Sequence, residues 1–183
     1  MKTTLTPLEG CVVVEAPVHA DERGFFTEVF HASKFQPLGL PTEFAQDNHS
    51  RSIGGVLRGL HIQGKNPQGK LVRVVQGRIF DVAVDLRRDS DSYGKWFGLT
   101  LEEGDGKQLW IPPGFAHGFL VLSDVADVSY KCTTLYDAAS DLTLRWDDET
   151  INVKWPLPAG GHPSLSAKDA RGLALSDVME KLQ

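Results

Sequence analysis

Residues 55–63 place an arginine and a histidine in an apolar, glycine-punctuated run that is typical of a β-strand. A protein core accommodates a guanidinium such as Arg58, or a titratable imidazole such as His61, only when partners or a function offset the cost of burial. A pocket that binds an anion through Arg58 and moves a proton through His61 would explain both residue types.

The spacing of these two residues raises a question about the strand that carries them. Arg58 and His61 are an odd number of positions apart, so on an ideal strand their side chains would point to opposite faces. Gly54, Gly55 and Gly59 permit a β-bulge that would bring both side chains to one face. The sequence leaves open whether the strand bulges or Arg58 reaches its ligand from the other face.

Composition and charge narrow the class of protein. The 183 residues, 41% hydrophobic and 23% charged, predict a single soluble globular domain over residues 1–183. A formal net charge of -5 argues against a nucleic-acid-binding surface, which is normally basic. No apolar run is long enough to cross a membrane, and the first residues lack the core of a signal peptide, so we expect a cytoplasmic protein. Cys11 and Cys132 are expected to be free, buried thiols.

Short β-branched and aromatic runs, separated by Gly, Pro and Asp turns, predict many strands and few helices. The expected strands cover residues 12–15, 25–30, 70–75, 78–86, 96–101, 107–111, 119–122 and 125–136. The turns at Gly77 and at residues 103–106 predict hairpins between their flanking strands. Short helices are expected at residues 31–36 and 176–182, the second with Ser176 as its N-cap. The pattern favours an all-β sandwich or barrel over a fold of βαβ units.

Alternation along residues 78–86 separates two faces of one strand. An entirely apolar face is expected to pack against a second sheet: Phe80, Val82, Val84 and Leu86. Asp81 and Asp85 share the other face, and we expect them to meet solvent, with a polar barrel interior as the alternative. Tyr130 lies among small residues on its strand, where a plain core role and a functional role are both open.

Several sequence blocks occur in the order found in one family. They are residues 21–28 (DERGFFTE), 46–48 (QDN), 55–61 (GVLRGLH), 68–70 (QGK), 80–87 (FDVAVDLR), 111–119 (IPPGFAHGF), 130–131 (YK), Tyr136 and 165–169 (LSAKD). Over nearly its whole length the chain resembles the dTDP-4-dehydrorhamnose 3,5-epimerases. The resemblance implies a cupin-type jelly roll with a pocket inside the barrel and a few short peripheral helices. It also implies a homodimer in which N-terminal strands cross to the partner.

The resemblance implies a dTDP-linked 4-keto-6-deoxy sugar as substrate and proton transfer at the two carbons that flank its ketone, C3 and C5. Such inversion needs a base, a group that stabilises the enolate oxygen and an acid, but no redox cofactor. By the family pattern His61 is the base, oriented by Asp169, and Tyr130 is the acid on the opposite face of the sugar. Lys70 is the expected cation for the enolate oxygen, and Asp81 is a further candidate to hold Lys70 or His61.

The resemblance also implies a set of substrate contacts. Positive or hydrogen-bonding groups for the nucleotide and its diphosphate are Arg23, Arg58, His117 and Lys168, to which Lys70 adds its charge. The aromatic rings Phe26 and Tyr136 would cover the thymine. The remaining polar contacts are Glu28, Gln46, Asp47, Asn48 and Asp141. Asp141 departs from the family's usual glutamate, and Ile62 stands where an aromatic residue is common.

Other functions remain to be weighed against this one. A metal-dependent cupin would need two or three histidines and a carboxylate around one ion, whereas Gln63 stands two residues after His61, so we expect no metal and no cofactor. A non-catalytic sugar-nucleotide binding protein would not need His61, Asp169 and Tyr130. Relatives that invert one carbon or move the keto group are harder to separate by sequence, although Tyr130 favours the double epimerase.

Overall fold

The structure, a computed structural model, describes residues 1–182. The strands are β1 (Lys2–Leu5), β2 (Val12–Glu15), β3 (Val18–Asp21), β4 (Gly24–Thr27), β5 (Gln46–Ile53), β6 (Leu57–Gln63), β7 (Lys70–Gln76), β8 (Arg78–Asp85), β9 (Trp96–Glu102), β10 (Lys107–Ile111), β11 (Phe115–Val121), β12 (Val125–Cys132) and β13 (Asp141–Thr143). The helices are α1 (Ala32–Phe35) and α2 (Leu175–Lys181), with 3₁₀ turns at Gln36–Leu38 and Asp169–Arg171. The predicted all-β class is confirmed. In the part of the chain described, no helix has the length and apolar character needed to cross a membrane.

The strands form two antiparallel sheets and a separate hairpin. One sheet has the order β1-β2-β10-β7-β12-β5, the other β13-β6-β11-β8-β9, and β3 pairs only with β4. Neighbours in sequence such as β7 and β8, or β9 and β10, lie in different sheets. The hairpins expected at Gly77 and at residues 103–106 are therefore wrong, because these turns carry the chain from one sheet to the other. Such alternation is the arrangement of a jelly roll.

The main hydrophobic core lies between the two sheets. Val72 and Val128 of the six-stranded sheet pack in one cluster with Ile79 and Phe119 of the five-stranded sheet. These positions alternate with residues that face outward, as the pleat of a strand requires. The same inward rows carry the polar residues of the candidate site, so the apolar core fixes their direction.

The orientation of β8 is the reverse of the expected one. Val82 and Val84 pack in a second cluster with Val178 and Met179 of α2, so the C-terminal segment covers this face in place of a second sheet. The opposite face points between the sheets, which buries Asp81 and Asp85 completely. Solvent exposure of these two carboxylates was the wrong expectation, because each has a hydrogen-bonding partner inside the fold.

Helix α2 begins earlier than the sequence suggests. Its N-cap is Ala174 rather than Ser176, and Ala174 offers no side-chain cap. The carboxylate of Asp148 accepts a hydrogen bond from the Leu175 backbone N–H at 2.9 Å. A side chain remote in sequence thus satisfies one of the free N–H groups of the first turn, which local pattern cannot show.

Candidate active site

A β-bulge in β6 brings Arg58 and His61 to the same face. Across the pair β6 and β11, His61 lies opposite His117 and Arg58 lies opposite Phe119, with a register shift between them. Three steps along β6 therefore match two steps along β11, which means that β6 contains one extra residue. Because His117 and Phe119 share a face, Arg58 and His61 share it too. The open question of the sequence is answered in favour of the bulge.

Two glycines allow the backbones to meet closely at this bulge. Gly59 has a φ of +118°, and a Cβ atom on it would lie 2.6 Å from the Cα of Gly118 and 2.7 Å from the carbonyl oxygen of His117. Real Cβ atoms do not approach backbone atoms so closely. A side chain at either glycine would therefore push β6 away from β11 beside His61.

A cavity of about 280 Å³ opens between the sheets next to the bulge. Its lining is mostly polar and consists of Gln46, Asn48, His61, Ile62, Gln63, Gln68, Lys70, Tyr130, Tyr136 and Asp141. Strand register explains the grouping, because Tyr130 of β12 lies between Asn48 of β5 and Val72 of β7, and Cys132 lies next to Lys70. Strand pairing thus brings four of the predicted site residues into one row of the six-stranded sheet: Gln46, Asn48, Lys70 and Tyr130.

His61 and Asp169 form a short hydrogen-bonded pair. The distance from His61 Nε2 to Asp169 Oδ1 is 2.6 Å, and Ser166 Oγ donates to the other carboxylate oxygen at 2.8 Å. Burial alone would raise the pKa of Asp169, but the hydrogen bonds from His61 and Ser166 outweigh it and hold the pKa below its usual value. An ionised Asp169 requires Nε2 of His61 to carry the proton, which leaves Nδ1 of the neutral ring as a free base.

Lys70 and Tyr130 are two further groups in the cavity whose pKa values are shifted. Burial lowers the pKa of Lys70. Among residues 1–182, no carboxylate oxygen lies within 4.0 Å of its ammonium, the limit for an ion pair. Burial raises the pKa of Tyr130, so the phenol keeps its proton at neutral pH. The cavity therefore presents a base, a cation and a proton donor together.

Arg58 shares a face of β6 with His61 but is not among the residues that line this cavity, and part of its guanidinium fork is free for a ligand. Its Nε donates to Ser52 Oγ at 2.8 Å, and one terminal nitrogen donates to the Arg51 carbonyl at 3.3 Å. The positive charge of Arg58 tends to lower the pKa of Tyr130, against the effect of burial. An exposed guanidinium fixed in this way is suited to a phosphate.

Tyr136, Asp141 and Lys168 form a cluster at the mouth of the cavity. The Tyr136 hydroxyl donates to Asp141 Oδ2 at 2.8 Å, and the Lys168 ammonium pairs with the same oxygen. Tyr136 is 54% exposed. Its hydrogen bond to Asp141 and its partial burial raise its pKa. The three residues predicted as nucleotide contacts thus meet at one entrance.

The structure places four other predicted contacts away from this cavity. Alternation along β5 turns Asp47 to the outer face, where Lys131 binds it at 2.9 Å, so the structure does not bring it to the site. Arg23 pairs with Asp21, and Phe26 is 68% exposed on the β3–β4 hairpin. The fourth residue is Glu28, which pairs with Lys34. All three N-terminal residues lie outside the cavity of their own chain.

His117 and Asp81 form a second histidine–carboxylate pair, deeper in the core. The distance from His117 Nε2 to Asp81 Oδ1 is 2.7 Å, and burial lowers the pKa of His117. The sequence assigned Asp81 to Lys70 or His61, and its hydrogen-bonding partner is instead His117. His61 and His117 thus engage different carboxylates. No group of three His, Cys, Asp or Glu that could hold a metal ion occurs within the described residues.

Sequence reasoning missed two residues that support the site. Ser166 holds the second oxygen of Asp169, and its position three residues before that carboxylate is a common local hydrogen-bonding pattern. Gln63 donates to the carbonyls of Asn66 and Leu135 and accepts from the Asp137 N–H, which fixes the loop that carries Tyr136. No local signal distinguishes that glutamine from a surface one.

The sequence over residues 5–177 matches a family model described as dTDP-4-dehydrorhamnose 3,5-epimerase. The chain belongs to this family. Since an epimerase is an isomerase, the enzyme class expected from the sequence blocks is confirmed. The match covers every strand after β1 and the segment with Asp169.

Individual members of the epimerase family agree with this result. The chain is 52% identical over 164 residues to dTDP-4-dehydrorhamnose 3,5-epimerase of Methanothermobacter thermautotrophicus, covering 90% of this chain and 89% of that relative. It is similar to the structure of dTDP-6-deoxy-D-glucose-3,5-epimerase from Legionella pneumophila in complex with dTDP-4-keto-L-rhamnose, with TM-score 0.94, 43% identity, and coverage of 99% and 96%. It is also similar to a 3'-monoepimerase from Streptomyces bikiniensis in complex with dTDP-quinovose, with TM-score 0.87, 30% identity, and coverage of 97% and 89%. These neighbours confirm the predicted cupin-type jelly roll.

Proposed function

We propose that this epimerase inverts C3 and C5 of dTDP-4-dehydro-6-deoxy-D-glucose to give dTDP-4-dehydro-L-rhamnose, as a step of dTDP-L-rhamnose synthesis. The observation that carries the proposal is a single cavity lined by His61, with Asp169 behind it, and by Lys70 and Tyr130. This set contains every group that proton exchange next to a ketone requires.

His61 removes the proton from the carbon next to the C4 ketone. Its free Nδ1 accepts the proton, and the imidazolium that forms is stabilised by the ionised carboxylate of Asp169. Ser166 keeps that carboxylate in place by donating to its second oxygen. The same ring serves both carbons if the sugar presents C3 and C5 in turn.

Lys70 stabilises the enolate oxygen that develops as the proton leaves. The ammonium lies in a partly buried position without a carboxylate contact among residues 1–182, so its N–H donors are available. A fixed positive charge in a site of low dielectric stabilises a developing anion more than water does. This charge lowers the barrier of both proton abstractions.

Tyr130 returns a proton to the carbon from the face opposite His61. It lies on the six-stranded sheet, whereas His61 lies on the five-stranded sheet, so a sugar between the sheets has one group on each side. After one inversion His61 has gained a proton and Tyr130 has lost one. Exchange of both with solvent restores the starting state for the second carbon.

The nucleotide is held at the mouth of the cavity. Arg58 binds the diphosphate, Lys168 adds a second positive charge, and the exposed ring of Tyr136 stacks on the thymine. Gln46 and Asn48 supply polar contacts from β5. In this arrangement the sugar reaches inward to His61 while the base stays near the surface.

The enzyme works as a homodimer with exchanged N-terminal strands. The β3–β4 hairpin pairs with neither sheet of its own chain and exposes Phe25 and Phe26. Large exposed aromatic residues on one hairpin are typical of an interaction surface. Arg23, Phe26 and Glu28 would then complete the nucleotide site of the second subunit.

Proton NMR in D₂O with dTDP-4-dehydro-6-deoxy-D-glucose tests the proposal. Deuterium at both C3 and C5 supports it, deuterium at one carbon indicates a single epimerase, and no incorporation refutes the reaction class. The similarity to a 3'-monoepimerase makes single epimerisation the second candidate, and the label at C5 separates the two.

The His61→Asn variant tests the assignment of the base. Exchange at both carbons should fall by about 10³-fold or more, because the general base and its dyad are lost, while dTDP binding persists. The matched control is His162→Asn, which changes an exposed histidine outside the cavity. Unchanged exchange in His61→Asn would remove His61 as the base.

A further inference from the structure

Ser52 is a buried serine that holds the side chain of Arg58. The Nε of Arg58 donates to Ser52 Oγ at 2.8 Å, and its Nη2 donates to the Arg51 carbonyl at 3.3 Å. Ser52 is only 6% exposed, whereas the Arg58 side chain reaches solvent. Both acceptors belong to β5, so the edge strand of the six-stranded sheet fixes a guanidinium that the five-stranded sheet carries.

The turn between β5 and β6 keeps these two strands in a fixed relation. The Gly54 N–H donates to the Asp124 carbonyl at 2.7 Å. The Gly55 N–H donates to the Val121 carbonyl at 3.1 Å. The turn is thus tied to the end of β11 and to the residues that follow it. These hydrogen bonds hold the two strands, and with them the serine and Arg58, in one frame.

The hydrogen bond lies on the faces of β5 and β6 that also form the cavity. Ser52 is an even number of positions from Gln46 and Asn48, which line the cavity, so alternation turns it to their side of β5. The bulge in β6 turns Arg58 to the side of His61. A ligand that extends from the cavity along this face of β5 would therefore reach the guanidinium.

The contact fixes Arg58 without cancelling its charge. Arg51 and Arg87 are each held by a carboxylate, of Asp127 and Asp85 respectively. In the described part of the chain, no carboxylate oxygen lies within 4.0 Å of the Arg58 guanidinium. The hydroxyl and the carbonyl engage one side of this group, which leaves both N–H groups of Nη1 and one of Nη2 for an anion. A full positive charge with an open terminal edge suits bidentate binding of a phosphate.

We propose that Ser52 is a positioning residue that aims the terminal edge of Arg58 at the diphosphate of the substrate. This inference rests on the proposed function, in which Arg58 binds that diphosphate. A free arginine side chain loses rotamer freedom when it binds, and this loss weakens binding. Because Ser52 orders the side chain beforehand, a larger share of the interaction energy appears as affinity. A carboxylate at this position would order the guanidinium too, but it would also neutralise the charge that attracts the diphosphate.

Ser50 provides a matched control on the same strand and the same face. Its hydroxyl is also buried, but within residues 1–182 it has no hydrogen-bond partner. Its neighbour on β12 is Val128, as Ala126 is the neighbour of Ser52. Ser50→Ala and Ser52→Ala therefore remove the same group from similar surroundings, and only the second variant releases Arg58.

Isothermal titration calorimetry with dTDP measures the effect on the diphosphate contact. Ser52→Ala should weaken dTDP binding by about tenfold, the size expected for loss of one hydrogen bond to a charged group. Ser50→Ala should bind dTDP within about twofold of wild type, because Arg58 keeps its partner. Arg58→Gln should itself weaken dTDP binding, and adding Ser52→Ala to it should have no further effect, because Ser52 acts through Arg58.

Kinetics separate positioning from a structural role. In Ser52→Ala the KM for the dTDP-linked sugar should rise by about tenfold and kcat should change by less than about threefold, because the groups that move protons stay in place. A fall in kcat with unchanged KM would contradict the inference.

Three results of the calorimetry would also overturn it: wild-type affinity in Ser52→Ala or in Arg58→Gln, an equal loss in Ser50→Ala, or a further loss when Ser52→Ala is added to Arg58→Gln. The proposed reaction is tested separately. If the wild type binds dTDP in this Ser52-dependent way but exchanges neither the C3 nor the C5 proton, the reaction is refuted while the positioning of Arg58 is supported.

Discussion

Replacement of Gly59 by alanine should disrupt the site through the backbone alone. The added Cβ would meet the Cα of Gly118 at 2.6 Å and the His117 carbonyl at 2.7 Å, whereas ordinary contact begins near 3.4 Å. The two strands must therefore separate by roughly 0.8 Å, the difference between 3.4 and 2.6 Å. Overpacking of this kind costs about 1–3 kcal/mol. The φ of +118° adds backbone strain of about 1–3 kcal/mol for a residue with a side chain.

Gly24→Ala is the control for the backbone strain that a positive φ causes. Gly24 has a similar φ of +126°, and a Cβ atom there meets no heavy atom within 4 Å. Urea unfolding at one fixed protein concentration should show Gly59→Ala to be less stable than Gly24→Ala by about 2 kcal/mol, the overpacking contribution. Because His61 lies two residues from the clash, kcat should also fall by about 100-fold. Equal stabilities of the two variants would refute the argument that close approach, rather than φ, requires glycine at position 59.

Two further predictions concern the proton donor Tyr130 and the pH dependence of the free energy of unfolding. Tyr130→Phe should lower product formation by at least about 100-fold while substrate still exchanges protons with D₂O through His61, as NMR of recovered substrate would show; full activity would contradict the role of Tyr130. Burial raises the pKa of Asp85, but hydrogen bonds from Arg87, Ser90 and Ser92 outweigh this and lower it from 3.8 to about 2. Since the folded-state pKa is depressed, this contribution of about 2 kcal/mol is present above pH 3.8 and is lost as the pH falls towards 2. The free energy of unfolding, measured with urea between pH 6 and pH 2, should therefore depend less on pH in Asp85→Asn than in wild type. An equally steep dependence would show that Asp85 is not its source.

Local pattern was sufficient to predict most strands, because alternation and turn residues act over a few positions. The strand β7 and the turn at Gly77 illustrate the limit. The turn was recognised, but whether the next strand pairs with β7 or joins the other sheet depends on contacts far away in sequence. The hairpins predicted at Gly77 and at residues 103–106 were therefore both wrong, because each turn connects the two sheets.

The prediction of which charged groups are buried failed for the same reason, because their partners are far away in sequence. Asp81 is stabilised inside the fold by His117, 36 positions away, and a single strand contains no sign of that partner. The pair of His61 and Asp169 spans 108 positions, and only the family resemblance connected them. Asp47 shows a different limit, since the block of residues 46–48 matched the family while alternation along β5 turned the side chain of its middle residue outward.

The bulge in β6 could be predicted only in part from the sequence. The glycines made it possible, and the odd spacing of Arg58 and His61 made it necessary if both residues served one ligand. What decided it was the apposition of Gly118 on β11, where a side chain would keep the strands apart. A pattern on one strand can propose such a distortion, but its partner strand determines whether it forms.

The division of the site between two sheets has a consequence for how stereochemistry can change in this family. His61 belongs to the five-stranded sheet, and Lys70 and Tyr130 belong to the six-stranded sheet. In the proposed mechanism, the gap and tilt between the two sheets set which faces of the sugar lose and receive a proton, and core residues such as Val72 and Ile79 hold the sheets together. Substitutions in that core can change which ring carbon meets both groups while every catalytic side chain is retained. Under the proposed mechanism, a change from two inversions to one can therefore arise by repacking the interior, without new catalytic groups.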